Sequence, residues 1–219
     1  MTAQKSERIV FLDQGSLAPQ DLDWSAWSSL TVPIEFFDHT EPSQVEERLR
    51  GATIVVTNKV VLSQELIDAS PSLKCISVAA TGTNNIDLKS AHAAKIEVHN
   101  ARDYGTESVA QHTWMLILAL SNRLVEYREL LEEGAWSNNP SFALLQPPKS
   151  ELTGRVLGIV GLGTLGRAVA SKAAAFGMSV RALAPHSDSH KEQVAGVMRL
   201  PFEELLATCD VLSLHCPLD

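Results

Sequence analysis

Positive charge is what this sequence lacks most plainly: 18 lysines and arginines stand against 26 aspartates and glutamates, for a formal net charge of −8. That balance argues against nucleic acid or an anionic membrane as principal partner, while leaving room for an anion held locally by backbone N–H groups. Long hydrophobic runs are missing too. No stretch approaches the roughly 18–20 apolar residues of a membrane span, and "MTAQKSERIV" has no apolar segment suited to secretion. Cysteine is scarce. Cys75, Cys209 and Cys216 show no CxxC spacing, which favours reduced thiols in a cytoplasmic protein over a disulfide framework, and no metal site is expected.

What is present is ordinary for a globular chain. The 219 residues are 45% apolar and 20% charged, enough for one large domain or two small ones. The first hundred residues alternate in period. "RIVFLD" (Arg8–Asp13), "IEFFD" (Ile34–Asp38), "ATIVVTN" (Ala52–Asn58), "KCISVAA" (Lys74–Ala80) and "IEVHN" (Ile96–Asn100) read as strands. Helical segments at Pro42–Arg50, Ser63–Ser70 and Asp87–Lys95 lie between several of them. Strands separated by short helices predict an α/β fold with a parallel sheet.

The pattern then changes. Thr106–Gly134 reads as one long helix, with Ser108 and Gln111 as a capping box and Gly134 as terminator. Trp114–Leu120 is apolar on every face, so burial between two bodies is expected there. Trp136–Gly154, rich in Pro, Asn and Ser, reads as a surface connection. The implied division is residues 1–103 and residues 104–219.

The most informative stretch is "RVLGIVGLGTLGRAVASKAAAFGMSVRALAP" (Arg155–Pro185). A strand at Val156–Val160 runs directly into Gly161-x-Gly163-x-x-Gly166, a helix over Leu165–Phe176 follows, and a second strand is expected at Met178–Ala184. In that context the glycines have separate tasks: Gly161 for the tight turn, Gly163 for close approach of a pyrophosphate, Gly166 for packing of helix on strand. The helix N-terminus offers free N–H groups and partial positive charge to phosphates. An acidic residue usually follows about 20 residues after the first glycine to bind a ribose 2′-hydroxyl. Here the region reads Ala184-Pro185-His186-Ser187, with no carboxylate before Asp188, which leaves NAD and NADP both open.

With these motifs in hand, the chain resembles the D-isomer-specific 2-hydroxyacid dehydrogenases, most closely the glycerate dehydrogenase/hydroxypyruvate reductase group. The resemblance rests on "ATGTNNID" (Ala80–Asp87), "YGTESVAQHT" (Tyr104–Thr113), "ELTGRVLGIVGLGTLGRAVA" (Glu151–Ala170) and "DVLSLHCPL" (Asp210–Leu218), in that order. It implies a flavodoxin-like N-terminal substrate-side domain and the first half of a Rossmann-type doubly wound dinucleotide-binding domain. It also implies hydride transfer between NAD(P)H and a small 2-keto or D-2-hydroxy acid such as hydroxypyruvate or glyoxylate, and a homodimer at full length.

The same resemblance assigns residues. Ala80, Thr81, Gly82 and Thr83 would form the loop whose N–H groups hold the substrate carboxylate, with Thr81 also approaching the cofactor. A glycine-containing loop opening a helix is a fair anion cradle; the bland alternative is a turn in which Asp87 merely caps that helix. Thr164 and Leu165 would meet the pyrophosphate beside Gly161, Gly163 and Gly166. Cys216 and Pro217 would line the adenine side, and His186 would lie near the adenosine ribose. His112 is expected to pack a helix.

The family's catalytic arginine, glutamate and histidine come after the "HCPL" strand, so no catalytic residue is assigned in this chain. Arg102 in "NARD" and His186 in "APHS" stand in the wrong places for those roles. The chain is therefore expected to be the front part of such an enzyme, C-terminally truncated and inactive alone. Val211–Cys216 is expected to be the third strand of a sheet of usual order 3-2-1-4-5-6, leaving Val156–Val160 as an exposed edge. Two alternatives remain: a short nucleotide-binding protein without catalysis, or an enzyme acting on D-3-phosphoglycerate.

Overall fold

The computed structural model describes residues 7–185, 192–194 and 196–216. His186 and Pro217, both named as cofactor contacts, lie outside the described residues. The chain separates into two compact units, Met1–Asp103 and Tyr104–Asp219.

In the first unit, short runs rich in Val and Ile form β1 (Ile9–Phe11), β2 (Ile34–Phe36), β3 (Ile54–Thr57), β4 (Cys75–Val78) and β5 (Glu97–Asn100). The helices α1 (Val45–Leu49), α2 (Gln64–Asp68) and α3 (Leu88–Ala93) separate them. All pairings are parallel, in the order β2-β1-β3-β4-β5, the flavodoxin-like arrangement. Alternate residues serve opposite faces. Val10 and Val55 pack with Val45, Leu49 and Ile76 on one side. Ile9, Phe11 and Val56 pack with Trp24 and Trp27 on the other. Burial on both faces is why these strands read as nearly continuous apolar runs.

The second unit opens with two helices where the sequence suggested one. α4 (Thr106–Ser121) and α5 (Leu124–Glu132) are divided at Arg123, whose φ of 52° is left-handed. No glycine or proline announces the break. The capping box does not form: α4 begins behind Gly105 without a side-chain cap, which places Ser108 and Gln111 inside the helix. Gly134 does terminate α5, with φ +77° and N–H bonds from Gly134 to Leu131 O (3.1 Å) and from Ala135 to Leu130 O (2.9 Å). Only Ala110, Trp114 and Ile117 of α4 are buried; Met115 and Leu120 are 48% and 79% exposed, so burial on every face is not observed.

The second sheet is built from β6 (Val156–Val160), β7 (Ser179–Leu183), β8 (Glu192–Val194), β9 (Val197–Leu200) and β10 (Val211–Leu214). Two helices belong with it: α6 (Thr164–Ala173), extended by a 3₁₀ turn over Ala174–Phe176, and α7 (Phe202–Thr208). Its order is β10-β6-β7-β9-β8, parallel except for the β8–β9 pair.

This order corrects the expected strand count. Val197–Leu200 is the third strand of the doubly wound series, and Val211–Leu214 is the fourth, paired on the far side of β6. The four-residue "VMRL", with Arg199 inside it, is too short and too polar to stand out as a strand. Val156–Val160 is therefore central, flanked by β7 and β10, and the edge strand on that side is β10. Asp210 clamps the two strands at their start. Its carboxylate accepts from the Val156 N–H (2.8 Å) and from Arg155 (2.7 Å), while its own N–H donates to Val156 O (2.9 Å).

Candidate dinucleotide and carboxylate sites

In the second unit, the strand order reverses at β6: β7 and β9 extend one way and β10 the other. In open α/β sheets, ligands bind in the crevice beyond the strand C-termini at that reversal. The glycine loop lies there. Gly161 has φ +94°, and a β-carbon on it would stand 2.4 Å from His215 O. A β-carbon on Gly166 would stand 2.1 Å from Gly161 O and 3.2 Å from Ile159 Cγ2. Both glycines are thus required by the fold itself.

Gly163 differs. It is the N-cap of α6 in extended conformation, and nothing lies within 4 Å of the β-carbon it lacks. No side chain caps α6, and no acidic residue occupies its first turn. The N–H groups of Gly163, Thr164, Leu165 and Gly166 have no acceptor among the described residues; the first bond is from Arg167 N–H to Gly163 O (2.9 Å). Free donors, the helix dipole and open space at one glycine make a seat for an anionic group. A pyrophosphate fits it.

Cys216 follows β10 on the rim of this crevice. It is exposed, and its backbone N is 2.8 Å from the position of a Gly161 β-carbon. Beside it, the Ser213 hydroxyl and His215 Nε2 share a hydrogen bond of 2.9 Å. Burial pushes the His215 imidazole below its ordinary range, which keeps the ring neutral at pH 7. Ser213 and His215 stand inside the "DVLSLHCPL" motif without a role assigned from sequence. Their i, i+2 spacing, Ser213 on β10 and His215 just past its end, is the available signal.

In the first unit, Ala80–Thr83 forms the loop after β4. Ala80 is buried, Thr81 and Gly82 are exposed, and Thr83 is half-buried. The loop is pinned at both ends. Asn100 donates to Thr81 O (2.7 Å), and the Ile86 N–H donates to Thr83 O (3.0 Å). The N–H groups of Thr81, Gly82 and Thr83 have no acceptor among the described residues. Asp87 does cap α3, accepting from the Ser90 N–H at 2.9 Å. The cap and the row of free donors coexist, because the capping carboxylate lies beyond the loop. A separate crevice of about 640 Å³, lined in part by Asp13, Ser16, Lys59 and Leu66, opens beyond β1 and β3; the Thr81 loop is not among its walls.

The remaining named residues are placed as follows. Arg102 is exposed and, among the described residues, donates to Asn100 Oδ1 at 3.3 Å. His112 is exposed on α4 and joins no core cluster, so it is not the packing residue that was expected. Among the described residues, no group of three or more His, Cys, Asp or Glu side chains is placed to hold a metal ion. No helix among them is long and apolar enough to cross a membrane.

Residues 114–219 match the model of the D-isomer specific 2-hydroxyacid dehydrogenase NAD binding domain. The hydroxypyruvate reductase of Blautia hydrogenotrophica is 35% identical over 96% of this chain and 66% of its own length. The glycerate dehydrogenase of Methylorubrum extorquens is 34% identical, covering 97% of this chain and 64% of the relative. Among solved structures, an acyclic imino acid reductase in complex with NADPH and D-Arg superposes with a TM-score of 0.80 at 25% identity. That match covers 97% of this chain and 66% of the other. The chain thus spans about two-thirds of the length of the proteins it matches.

Proposed function

The chain belongs to the D-isomer specific 2-hydroxyacid dehydrogenase family, and from that premise we propose that it supplies the binding part of an NAD(P)-dependent oxidoreductase acting on a small 2-keto or D-2-hydroxy acid. Hydroxypyruvate and glyoxylate are the proposed substrates. The observation that carries the reading is the row of free N–H donors from Gly163 to Gly166 at the start of α6, with open space at Gly163. Those donors would hold the pyrophosphate, with Thr164 and Leu165 closest to it and Gly161 and Gly166 shaping the loop. The bound dinucleotide would supply the hydride. Cys216, exposed just past the end of β10, would form a wall of its pocket.

Thr81, Gly82 and Thr83 present a second set of free donors, suited to the carboxylate of the acid. Ala80, buried behind them, fixes where the loop starts. The units would be the substrate side (1–103) and the NAD(P) side (104–219). The arginine that polarises the keto group and the histidine that moves its proton have no counterpart among the residues assigned here. The 219 residues alone are therefore proposed to bind without turnover.

Two further features belong to the proposal. Met115, Leu116, Leu120, Leu124 and Val125 are exposed apolar side chains on α4 and α5, and Met115 and Leu124 line a cleft of about 960 Å³ walled in part by Trp114 and Phe176. That surface supports association of two chains, as a homodimer. The three cysteines are free, which supports a reducing, cytoplasmic setting.

The test is titration of the chain with NADH and NADPH, followed by nicotinamide fluorescence. Saturable binding of either supports the reading, and no binding of either removes it. Assay of the whole protein on hydroxypyruvate, glyoxylate and 3-phosphoglycerate would then rank the substrates.

A further inference from the structure

The glycine loop does not stand alone at its crevice. Ser213 is in register with Ile159, and Ile159 points toward α6, as its 3.2 Å approach to the Gly166 β-carbon position shows. Residues in register on parallel strands share a face, so the Ser213 hydroxyl and the His215 ring bonded to it lie on the α6 side of the sheet. His215 thus stands at the C-terminal edge, at the reversal of strand order, across the crevice from the start of α6. Its main chain is fixed twice over. The His215 N–H donates to Val160 O at 2.7 Å, the residue before the loop. Its carbonyl oxygen occupies the space a Gly161 side chain would need, 2.4 Å from that β-carbon position. Loop and strand end are therefore in contact backbone to backbone, and neither shifts without the other.

We propose that His215 is a positioning residue of the dinucleotide site: Ser213 fixes its ring, its main chain buttresses Gly161, and the pair sets the distance between the glycine loop and the end of β10. The inference rests on the dinucleotide reading given above and deepens it. A bare glycine loop has many conformations available, and a pyrophosphate needs one of them. Holding that conformation in advance removes an ordering cost from binding. A neutral imidazole in a single hydrogen bond to Ser213 suits this task, since it fixes geometry without adding a charge beside the phosphates. Ser213 and His215 act as one unit here, and removal of either should have the consequence of removing both.

The experiment is fluorescence titration of NADH and NADPH into the wild-type chain and four variants: His215→Ala, Ser213→Ala, the double variant and His215→Gln. One net hydrogen bond corresponds to a change of up to about tenfold in the dissociation constant. Each single alanine variant should weaken binding by about that factor, and the double variant should be no weaker than either. Glutamine, whose amide reaches the place of Nε2, should restore most of the affinity. Thermal melting of each variant separates loss of binding from loss of fold. Wild-type affinity in His215→Ala, additive losses, or glutamine no better than alanine would each overturn this inference while leaving the dinucleotide reading intact. A wild-type chain that binds neither dinucleotide would overturn both.

Discussion

A β-carbon on Gly166 would stand 2.1 Å from the carbonyl oxygen of Gly161, whereas one on Gly163 would meet nothing within 4 Å. The outer glycines of the motif are thus demanded by packing, and the middle one is left for a ligand to require. Gly166→Ala should destabilise the second unit by about 1–3 kcal/mol, as overpacking generally does. Gly163→Val should keep the melting temperature and abolish dinucleotide binding. Parallel thermal melts and fluorescence titrations would show it, and a dissociation constant unmoved by valine would remove the loop from the site.

Cofactor choice should not favour NADH. β7 ends at Leu183 and is followed by Ala184-Pro185, without a carboxylate there to bind a ribose 2′-hydroxyl or to repel a 2′-phosphate. Binding of NADPH should equal or exceed that of NADH in side-by-side titrations. A clear preference for NADH would mean that another group does the work of the missing acid.

Asp210 makes stability depend on acid. The Val156 N–H, and secondarily the Arg155 guanidinium, hold its carboxyl below the usual carboxylate range. A group whose folded-state pKa is depressed adds stability above its unfolded pKa, about 3.9 for aspartate, and that contribution is lost as pH falls through the folded value. Asp210→Asn should therefore melt earlier than wild type at pH 7, with the gap closing as the pH is taken below about 4. A gap that persists unchanged at low pH would assign the effect to packing instead of charge.

Trp114 ties α4 to α6. Its indole N–H donates to Val169 O at 3.1 Å, and its ring stacks on Phe176 at 4.5 Å between centroids. Trp114→Ala should cost about 3–5 kcal/mol in denaturant unfolding of the second unit. Trp114→Phe, which keeps the stack and loses the donor, should cost about 1–3 kcal/mol. Equal costs for the two would show that the hydrogen bond dominates.

One edge of the second sheet is β10, where Leu214 is 66% exposed and the outer row of backbone groups is unpaired among the described residues. Unprotected edges recruit other chains. The purified chain should self-associate as its concentration rises, and Leu214→Lys should lessen this in static light scattering. An edge charge without effect would direct attention to the exposed apolar side chains of α4 and α5.

What the sequence determined by itself was local. Alternation of β-branched runs with short helices was enough for the first sheet, since each strand and helix is written in consecutive residues. The glycine motif was legible for the same reason: strand, turn and helix lie within about one βαβ unit of chain. Even the unassigned pair, Ser213 and His215, was visible as an i, i+2 spacing.

Tertiary structure decided what depends on partners distant in sequence. The place of β10 beside β6 follows from β9, a strand of four residues that exists because it pairs with β7. The break at Arg123 has no glycine or proline to announce it. The division of labour among three glycines appears only when His215 O is seen filling the space beside Gly161 and open space is seen beside Gly163. A sequence states which residues are small; only the neighbours that a fold brings to them establish whether that smallness serves packing or a ligand.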